Sequence, residues 1–266
     1  MPLRLSPASR SLWGAINLGL GLLPSLAFFV WVERNLALPS LPLQWGWPWV
    51  QMDEGNLPWM LGFDAFLILF FGLLHSVFAQ ERIQAALFRP FPRQAWRTIY
   101  MTITGLSLLL MMGLWQSTGR MIWALPTSSL RNLILSGVLF WGWMALSLGV
   151  VRGFDALEFV GLRQLGLRSD ELGRPAGSPR LFSTGIYAWI RHPMYLFTLM
   201  AFACTPVMTL DRMFLVVVVG VYLAVAIPVE ERKLIRLFGP AYLEYRQRVP
   251  ALIPYRIPSS GAPLSP

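Results

Sequence analysis

Six long apolar runs divide this sequence: Leu12–Val32, Trp59–Ala79, Thr98–Trp115, Leu133–Val151, Pro193–Leu210 and Met213–Val229. A hydrocarbon core of about 30 Å is crossed by a helix of about 20 apolar residues. Inside that core only helices and closed barrels satisfy their own backbone groups. The expectation is therefore an all-α fold, a polytopic membrane helix bundle with about six transmembrane segments. The first run exceeds the apolar core of a secretory signal, roughly 7–15 residues, so it reads as a retained helix. Only Asp211 and Arg212 separate the last two runs, which reads as a tight helical hairpin with Pro206 kinking or ending its first arm.

Charge supports the same reading. Charged residues make up 13% of the chain and hydrophobic residues 55%, whereas soluble domains carry nearer a quarter charged. Of 22 basic residues, all but one are arginine, against 13 acidic, for a net charge of +9. With the N-terminus inside, eighteen basic residues fall in inner segments and four, Arg34, Arg120, Arg131 and Arg212, in outer loops. The positive-inside rule then places both termini in the cytoplasm. The arginines lie between apolar runs rather than in a separate basic domain, so they report orientation and contact with lipid headgroups, and no nucleic-acid partner is expected. Outer loop 33–58 holds Trp45, Trp47 and Trp49 and leads into Trp59, which suits an interfacial aromatic belt. Cys204 is the sole cysteine, which excludes an internal disulfide and a cysteine-based zinc site.

Three parts follow. Residues 1–151 form an N-terminal bundle of four segments, and 152–258 form a unit of polar loop, hairpin and amphipathic tail. Residues 259–266 read as a disordered tail. The loop 152–192 and the stretch 230–256 hold most of the polar residues. The loop ends in Gly185-Ile-Tyr187-Ala-Trp-Ile-Arg191-His192-Pro193-Met-Tyr195 and runs straight into the fifth segment. Pro193 suits a first helical position, since its missing N–H would be unpaired there, and a helix N-terminus favours anions. Eighteen residues of helix rise about 27 Å, so the hairpin returns Glu230 and Glu231 to the face that carries Arg191 and His192. Two carboxylates, an Arg, a His and two Tyr converge at one membrane surface. The plainer reading is an Arg-His anchor before one helix and a solvated Glu-Glu-Arg-Lys end after another.

Elsewhere, His75 lies inside an apolar run beside Ser76, with Asp64 almost on the same helical face. Ionisable residues at such positions point to function, although a packed, hydrogen-bonded histidine is the alternative. Cys204 reads as a small apolar packing residue, and Met111 and Met112 as lipid-facing or core filler. Leu234–Phe238 with Tyr242 and Tyr245 reads as an amphipathic surface helix ended by Pro250.

The stretch Gly185–Tyr195, followed by Glu230-Glu231-Arg-Lys-Leu-Ile-Arg-Leu-Phe-Gly239-Pro-Ala-Tyr242-Leu-Glu-Tyr245 and on to Pro254, resembles the C-terminal half of isoprenylcysteine carboxyl methyltransferases. Phe154-Asp155 with Gly161-Leu-Arg-Gln164, His75-Ser-Val-Phe-Ala79 and Ala203-Cys-Thr-Pro-Val-Met-Thr209 resemble the bacterial methanethiol S-methyltransferase branch of that family. The resemblance implies an integral membrane enzyme of the bacterial cytoplasmic membrane that uses S-adenosyl-L-methionine bound in a cytoplasmic-side pocket. Tyr187, His192, Pro193, Tyr195, Glu230 and Glu231 are then the expected cofactor contacts, with Arg180 and Leu181 from an aligned upstream stretch. Arg191 and His192 are the expected catalytic pair, with His75 and Gln164 on the substrate side. One departure matters: where the eukaryotic prenylcysteine enzymes carry an Arg four residues before the first Glu, this chain has Ala226. A carboxylate acceptor would lose its cation there, which favours a small thiol such as methanethiol over a prenylcysteine carboxylate, a lipid or an amine. Two other classes compete: an NADPH-dependent sterol-reductase-like enzyme, and a non-catalytic membrane protein of the NnrU-like group.

Overall fold

The computed structural model describes residues 6–34, 56–150 and 181–255. The expected roles of Gln164 and Arg180, and the tryptophans at 45, 47 and 49, lie outside the described residues. Helix α1 runs Pro7–Arg34 and α2 Leu57–Phe78. A short α3, Glu81–Leu87, precedes α4, Trp96–Leu114; strand β1, Met121–Ala124, and helix α5, Ser129–Val150, follow. After Leu181 come α6, Pro193–Ala203, β2, Val207–Thr209, α7, Leu210–Phe238, and α8, Pro240–Arg248. Among the described residues α1, α2, α4, α5 and α7 are long and apolar enough to cross a membrane. The protein is an integral membrane helix bundle, as its apolar runs require.

Local chemistry explains the boundaries. Ser6 caps α1 by accepting from the Ser9 N–H, with Pro7 at the first helical position. Thr209 caps α7 through the Arg212 N–H in the same way. Within α1, Asn17–Leu22 forms a π-helical stretch, and here the chain meets α4. A Cβ on Gly105 of α4 would stand 2.1 Å from the Leu20 carbonyl oxygen and 3.0 Å from Gly21 Cα. Two backbones therefore cross in direct contact, as small residues permit between membrane helices.

The fifth apolar run departs from expectation. It is helical only over Pro193–Ala203, 11 residues, or about 17 Å of rise. The chain then leaves the helix before Pro206, whose ring disfavours helical geometry in the residue before it. Val207–Thr209 instead pairs antiparallel with β1, so among the described residues one two-stranded sheet stands beside the helices. The hairpin is thus an 11-residue helix, an extended return and a 29-residue helix.

Arg212, expected in a loop, is fully buried. Its Nε donates to the Phe202 carbonyl at 2.7 Å and Nη2 to the Ala201 carbonyl at 2.9 Å, where α6 ends and leaves carbonyls unpaired. Nearby, the Gln116 N–H donates to Asp64 Oδ1 and the Thr118 N–H to Asp211 Oδ1, each at 2.9 Å. Asp64 and Asp211 thus tie helix ends together. Between the two ends of the bundle lies an apolar core that includes Phe28, Trp31, Leu67, Met111, Met112, Phe140, Phe202 and Leu215. Both methionines are core residues, and Cys204 follows the last turn of α6.

The expected amphipathic tail helix is also broken. Gly239 adopts φ 58°, ending α7, and Pro240 opens α8 in a new direction. Tyr242 and Tyr245 are consequently buried, in a small cluster with Val249 that Leu181, Leu234, Ile235 and Phe238 pack against.

Candidate functional site

The site forms where α6 begins and the last turns of α7 emerge. Pro193 starts α6 immediately after His192, and the first N–H groups of such a helix lack intrahelical carbonyls. Before it, the Arg191 N–H donates to the Pro250 carbonyl at 2.9 Å and the His192 N–H to the Ala251 carbonyl at 3.0 Å. The segment that follows α8 is therefore stitched to the Arg-His pair.

Side chains complete that seam. Arg191 donates to Glu231 Oε1 from Nε at 2.7 Å and from Nη2 at 2.6 Å, and its Nη1 reaches the carbonyls of Arg246 and Val249. His192 Nε2 lies 3.2 Å from the same Glu231 oxygen, and Arg246 Nε lies 3.1 Å from Glu231 Oε2. Both oxygens of Glu231, a residue only 3% exposed, are thus taken up by protein donors. Glu230 behaves differently. Its Oε2 accepts the Tyr195 hydroxyl at 2.7 Å and lies 3.7 Å from His192 Nδ1, while its side chain is 42% exposed. The His192 and Tyr195 rings stack in parallel, centroids 5.5 Å apart.

Tyr187 joins through its backbone, whose carbonyl accepts the Tyr245 hydroxyl at 2.7 Å; its half-buried ring leans on Phe182. Burial raises the Tyr187 phenol above its ordinary range, and the Glu230 charge adds to the effect. Burial likewise pushes Tyr242 up to about 12, with the Glu231 charge second. Tyr245 is raised by burial and by Tyr242 beside it. All three remain neutral hydroxyls near neutral pH.

Of the expected site residues, Arg191, His192, Pro193, Tyr195, Glu230 and Glu231 come together, with Tyr187 at the edge. Leu181 faces the tail cluster. His75 sits on α2, where the Tyr100 hydroxyl of α4 lies 3.0 and 3.1 Å from its two ring nitrogens. Beside it, Ser76 Oγ and the Tyr222 hydroxyl of α7 are 2.6 Å apart. Tyr222 lies about two turns before Glu230 on the same helix, α7. Sequence reasoning missed Tyr100, Tyr222, Arg246 and the carbonyls of 246–251. A hydroxyl inside an apolar run was the available signal for the two tyrosines. The carbonyls carry none.

What this arrangement can do follows from its charges. A carboxylate that is partly open, flanked by aromatic rings and a helix start, suits a ligand carrying both a cation and an anion. Among the described residues no cluster of His, Cys, Asp and Glu could hold a metal ion.

Comparison with known proteins finds methyltransferases among the relatives of this chain. Residues 132–241 match the family described as phospholipid methyltransferase. The chain is 34% identical over 192 residues to methanethiol S-methyltransferase 1 of Bradyrhizobium diazoefficiens, covering 71% of this chain and 65% of that protein, just under two thirds of its length. It is 32% identical to methanethiol S-methyltransferase of Crocosphaera subtropica, over 76% of this chain and 78% of that one. It is also 29% identical to Nurim of Rattus norvegicus, over 71% and 73% of the two chains. No solved structure matches.

Proposed function

This chain belongs to the integral-membrane methyltransferase family that includes the methanethiol S-methyltransferases, and on that premise we propose that it methylates a small thiol with S-adenosyl-L-methionine. The reading rests above all on Glu230: it is the carboxylate that Arg191 leaves open, near a helix start, beside the stacked rings of Tyr195 and His192.

The residues present fit that cofactor. Glu230 offers an acceptor to an ammonium or ribose hydroxyl, and its charge faces a cation favourably. The start of α6 offers N–H groups to a carboxylate, and the Tyr195 and His192 faces suit an adenine or sulfonium. When bound, the cofactor supplies an activated methyl group on a cationic sulfur. Arg191 acts by position: its guanidinium is committed to Glu231 and the tail, so it fixes the orientation of His192 and the α6 start. Glu231 is the counterpart of that lock. Tyr195 orients Glu230, and the buried cluster of Tyr242 and Tyr245 closes the rear of the site against water. What remains is the approach of the acceptor, which the walls hold in line with the methyl while they exclude competing water. Among thiol, lipid and carboxylate acceptors, Ala226 disfavours the carboxylate, and the named relatives favour the thiol. The arginine distribution favours a bacterial cytoplasmic membrane location with both termini inside.

Calorimetry on detergent-solubilised protein tests the cofactor. S-adenosylhomocysteine binds the wild type, and His192→Ala with Glu230→Ala abolishes that binding; no wild-type binding, or unchanged binding in the double variant, rejects the reading. Headspace gas chromatography of cells given methanethiol tests the acceptor. Dimethyl sulfide above the vector control is expected, and its absence rejects the thiol. The phospholipid methyltransferase match favours a lipid as second choice, read as labelled methyl in extracted lipids.

A further inference from the structure

A thiol attacks a methyl group as its thiolate, and free alkyl thiols hold their proton at neutral pH. Something must take that proton. The chain has two histidines, His75 and His192. His192 is poorly placed to do so. Its Nε2 faces Glu231 at 3.2 Å and its Nδ1 faces Glu230 at 3.7 Å, so a carboxylate already addresses each ring nitrogen. His75 differs. Both of its nitrogens are addressed by one neutral group, the Tyr100 hydroxyl, at 3.0 and 3.1 Å. One hydroxyl oxygen can receive the hydrogen of one ring nitrogen, which leaves the other nitrogen an acceptor.

The surroundings favour a small neutral acceptor. Phe71 lies against the His75 ring, centroids 5.6 Å apart, and Arg97 of α4 sits over the Tyr100 ring at 4.9 Å. On α7, the Tyr222 hydroxyl lies 2.6 Å from Ser76 Oγ and donates to the Gly72 carbonyl at 3.2 Å. A Cβ on Gly72 would come within 2.7 Å of the Tyr222 ring, so the glycine lets that tyrosine lie flat against α2. Tyr222 and Glu230 lie on the same helix, α7, eight residues or about 12 Å of rise apart; α7 packs against both α2 and α6, and Tyr195 of α6 holds Glu230. His75, Ser76, Tyr100, Tyr222 and Tyr195 thus form one polar wall reaching to the cofactor carboxylate, built from α2, α4, α7 and α6.

We propose that this wall is the acceptor side of the site and that His75, oriented by Tyr100, takes the proton of the thiol acceptor. The proposal rests on the thiol methyltransferase reading above. In the step, the S–H bond breaks with its proton passing to the open His75 nitrogen. The thiolate sulfur forms a bond to the methyl carbon as the bond from that carbon to the sulfonium breaks. A neutral thioether and S-adenosylhomocysteine remain, and the His75 imidazolium returns its proton to water. His75 is the catalytic residue here; Tyr100 is a positioning residue.

Two thiols of similar size separate a base from a structural histidine. Ethanethiol keeps its proton at about pH 8, whereas 2,2,2-trifluoroethanethiol, acidified by fluorine, is largely ionised there and needs little help. Purified full-length wild type, His75→Gln and Tyr100→Phe are assayed with each, beside calorimetry of S-adenosylhomocysteine. Expected are S-adenosylhomocysteine Kd values within about three-fold of wild type in both variants. His75→Gln loses about 100-fold or more with ethanethiol, the scale of general-base catalysis, and less than about ten-fold with the fluorinated thiol. Tyr100→Phe, which keeps the ring and its packing, shows the same ordering with a smaller loss, and carries the test if His75→Gln does not fold. Equal losses with the two thiols, or none, overturn the proposal. Absence of S-adenosylhomocysteine binding by the wild type instead removes the methyltransferase reading, and this proposal falls with it.

Discussion

Arg191 and Glu231 meet through two nitrogens on a single oxygen, at 2.6 and 2.7 Å, with both side chains more than nine-tenths buried. The neighbouring carboxylate, Glu230, is 42% exposed and bonded to a tyrosine. One turn of helix therefore presents two acidic residues with different duties, one closing the structure and one facing outward.

Breaking the buried pair leaves a charge without its partner. Glu231→Gln is expected to cost about 3–5 kcal/mol, read as a lower melting temperature in detergent and faster proteolysis after residue 239. Glu231→Gln melting within a degree of wild type would show that Arg191 finds equal compensation elsewhere.

Glu230→Gln takes the opposite form. Stability holds within about 0.5 kcal/mol, as at other open positions, while affinity for S-adenosylhomocysteine falls about 10- to 100-fold, the scale of a charge-assisted hydrogen bond. Tyr195→Phe, which removes the hydroxyl that orients Glu230, falls by about ten-fold. Calorimetry reads both, and unchanged affinity in Glu230→Gln would sink the assignment.

The glycine crossing of α1 and α4 gives a purely steric prediction. Gly105→Ala puts a Cβ at 2.1 Å from the Leu20 oxygen and forces the helices apart; about 1–3 kcal/mol of destabilisation is expected. Gly142→Ala in α5, with nothing within 4 Å, serves as the control and melts like the wild type. Equal melting of the two variants would contradict the crossing.

Alkaline pH addresses the tail. The Tyr242 phenol stands at about 12 in the folded protein, against about 10 in an unfolded chain. A raised value means that the neutral form favours folding: its contribution is complete below pH 10 and lost as pH rises from about 10 to 12. Two units correspond to about 3 kcal/mol. The melting temperature of wild type should therefore fall over that window, and Tyr242→Phe should fall less. Parallel curves for the two proteins would refute the assignment.

Legibility followed the physics of each feature. The long spans, α1, α2, α4, α5 and α7, were readable because hydrocarbon demands continuous apolar length. The fifth run misled for the same reason: apolarity fits a buried strand as well as a helix, and only Pro206 hinted at the change. Arg212 looked like a loop cation because composition cannot show that two helix-end carbonyls, at 201 and 202, await it. Within the site, the meeting of His192 with Glu230 and Glu231 was visible from spacing. The division of labour between the two glutamates was not, since it depends on backbone carbonyls from 246 to 251 drawing Arg191 toward the tail.

That last feature bears on the order in which the molecule comes into being. The seam joins residues up to 59 positions apart, the Arg191 N–H to the Pro250 carbonyl and the His192 N–H to the Ala251 carbonyl, and closing so long a loop has a real entropic cost. The last described span ends at Phe238, yet the Arg191 guanidinium finds its remaining partners only once residue 249 has been added, and the His192 N–H its partner only with residue 251. A chain interrupted earlier lacks the carbonyls that hold Arg191 and the His192 backbone. The geometry around Arg191 and His192 is therefore completed in one late step, after the membrane spans that carry it.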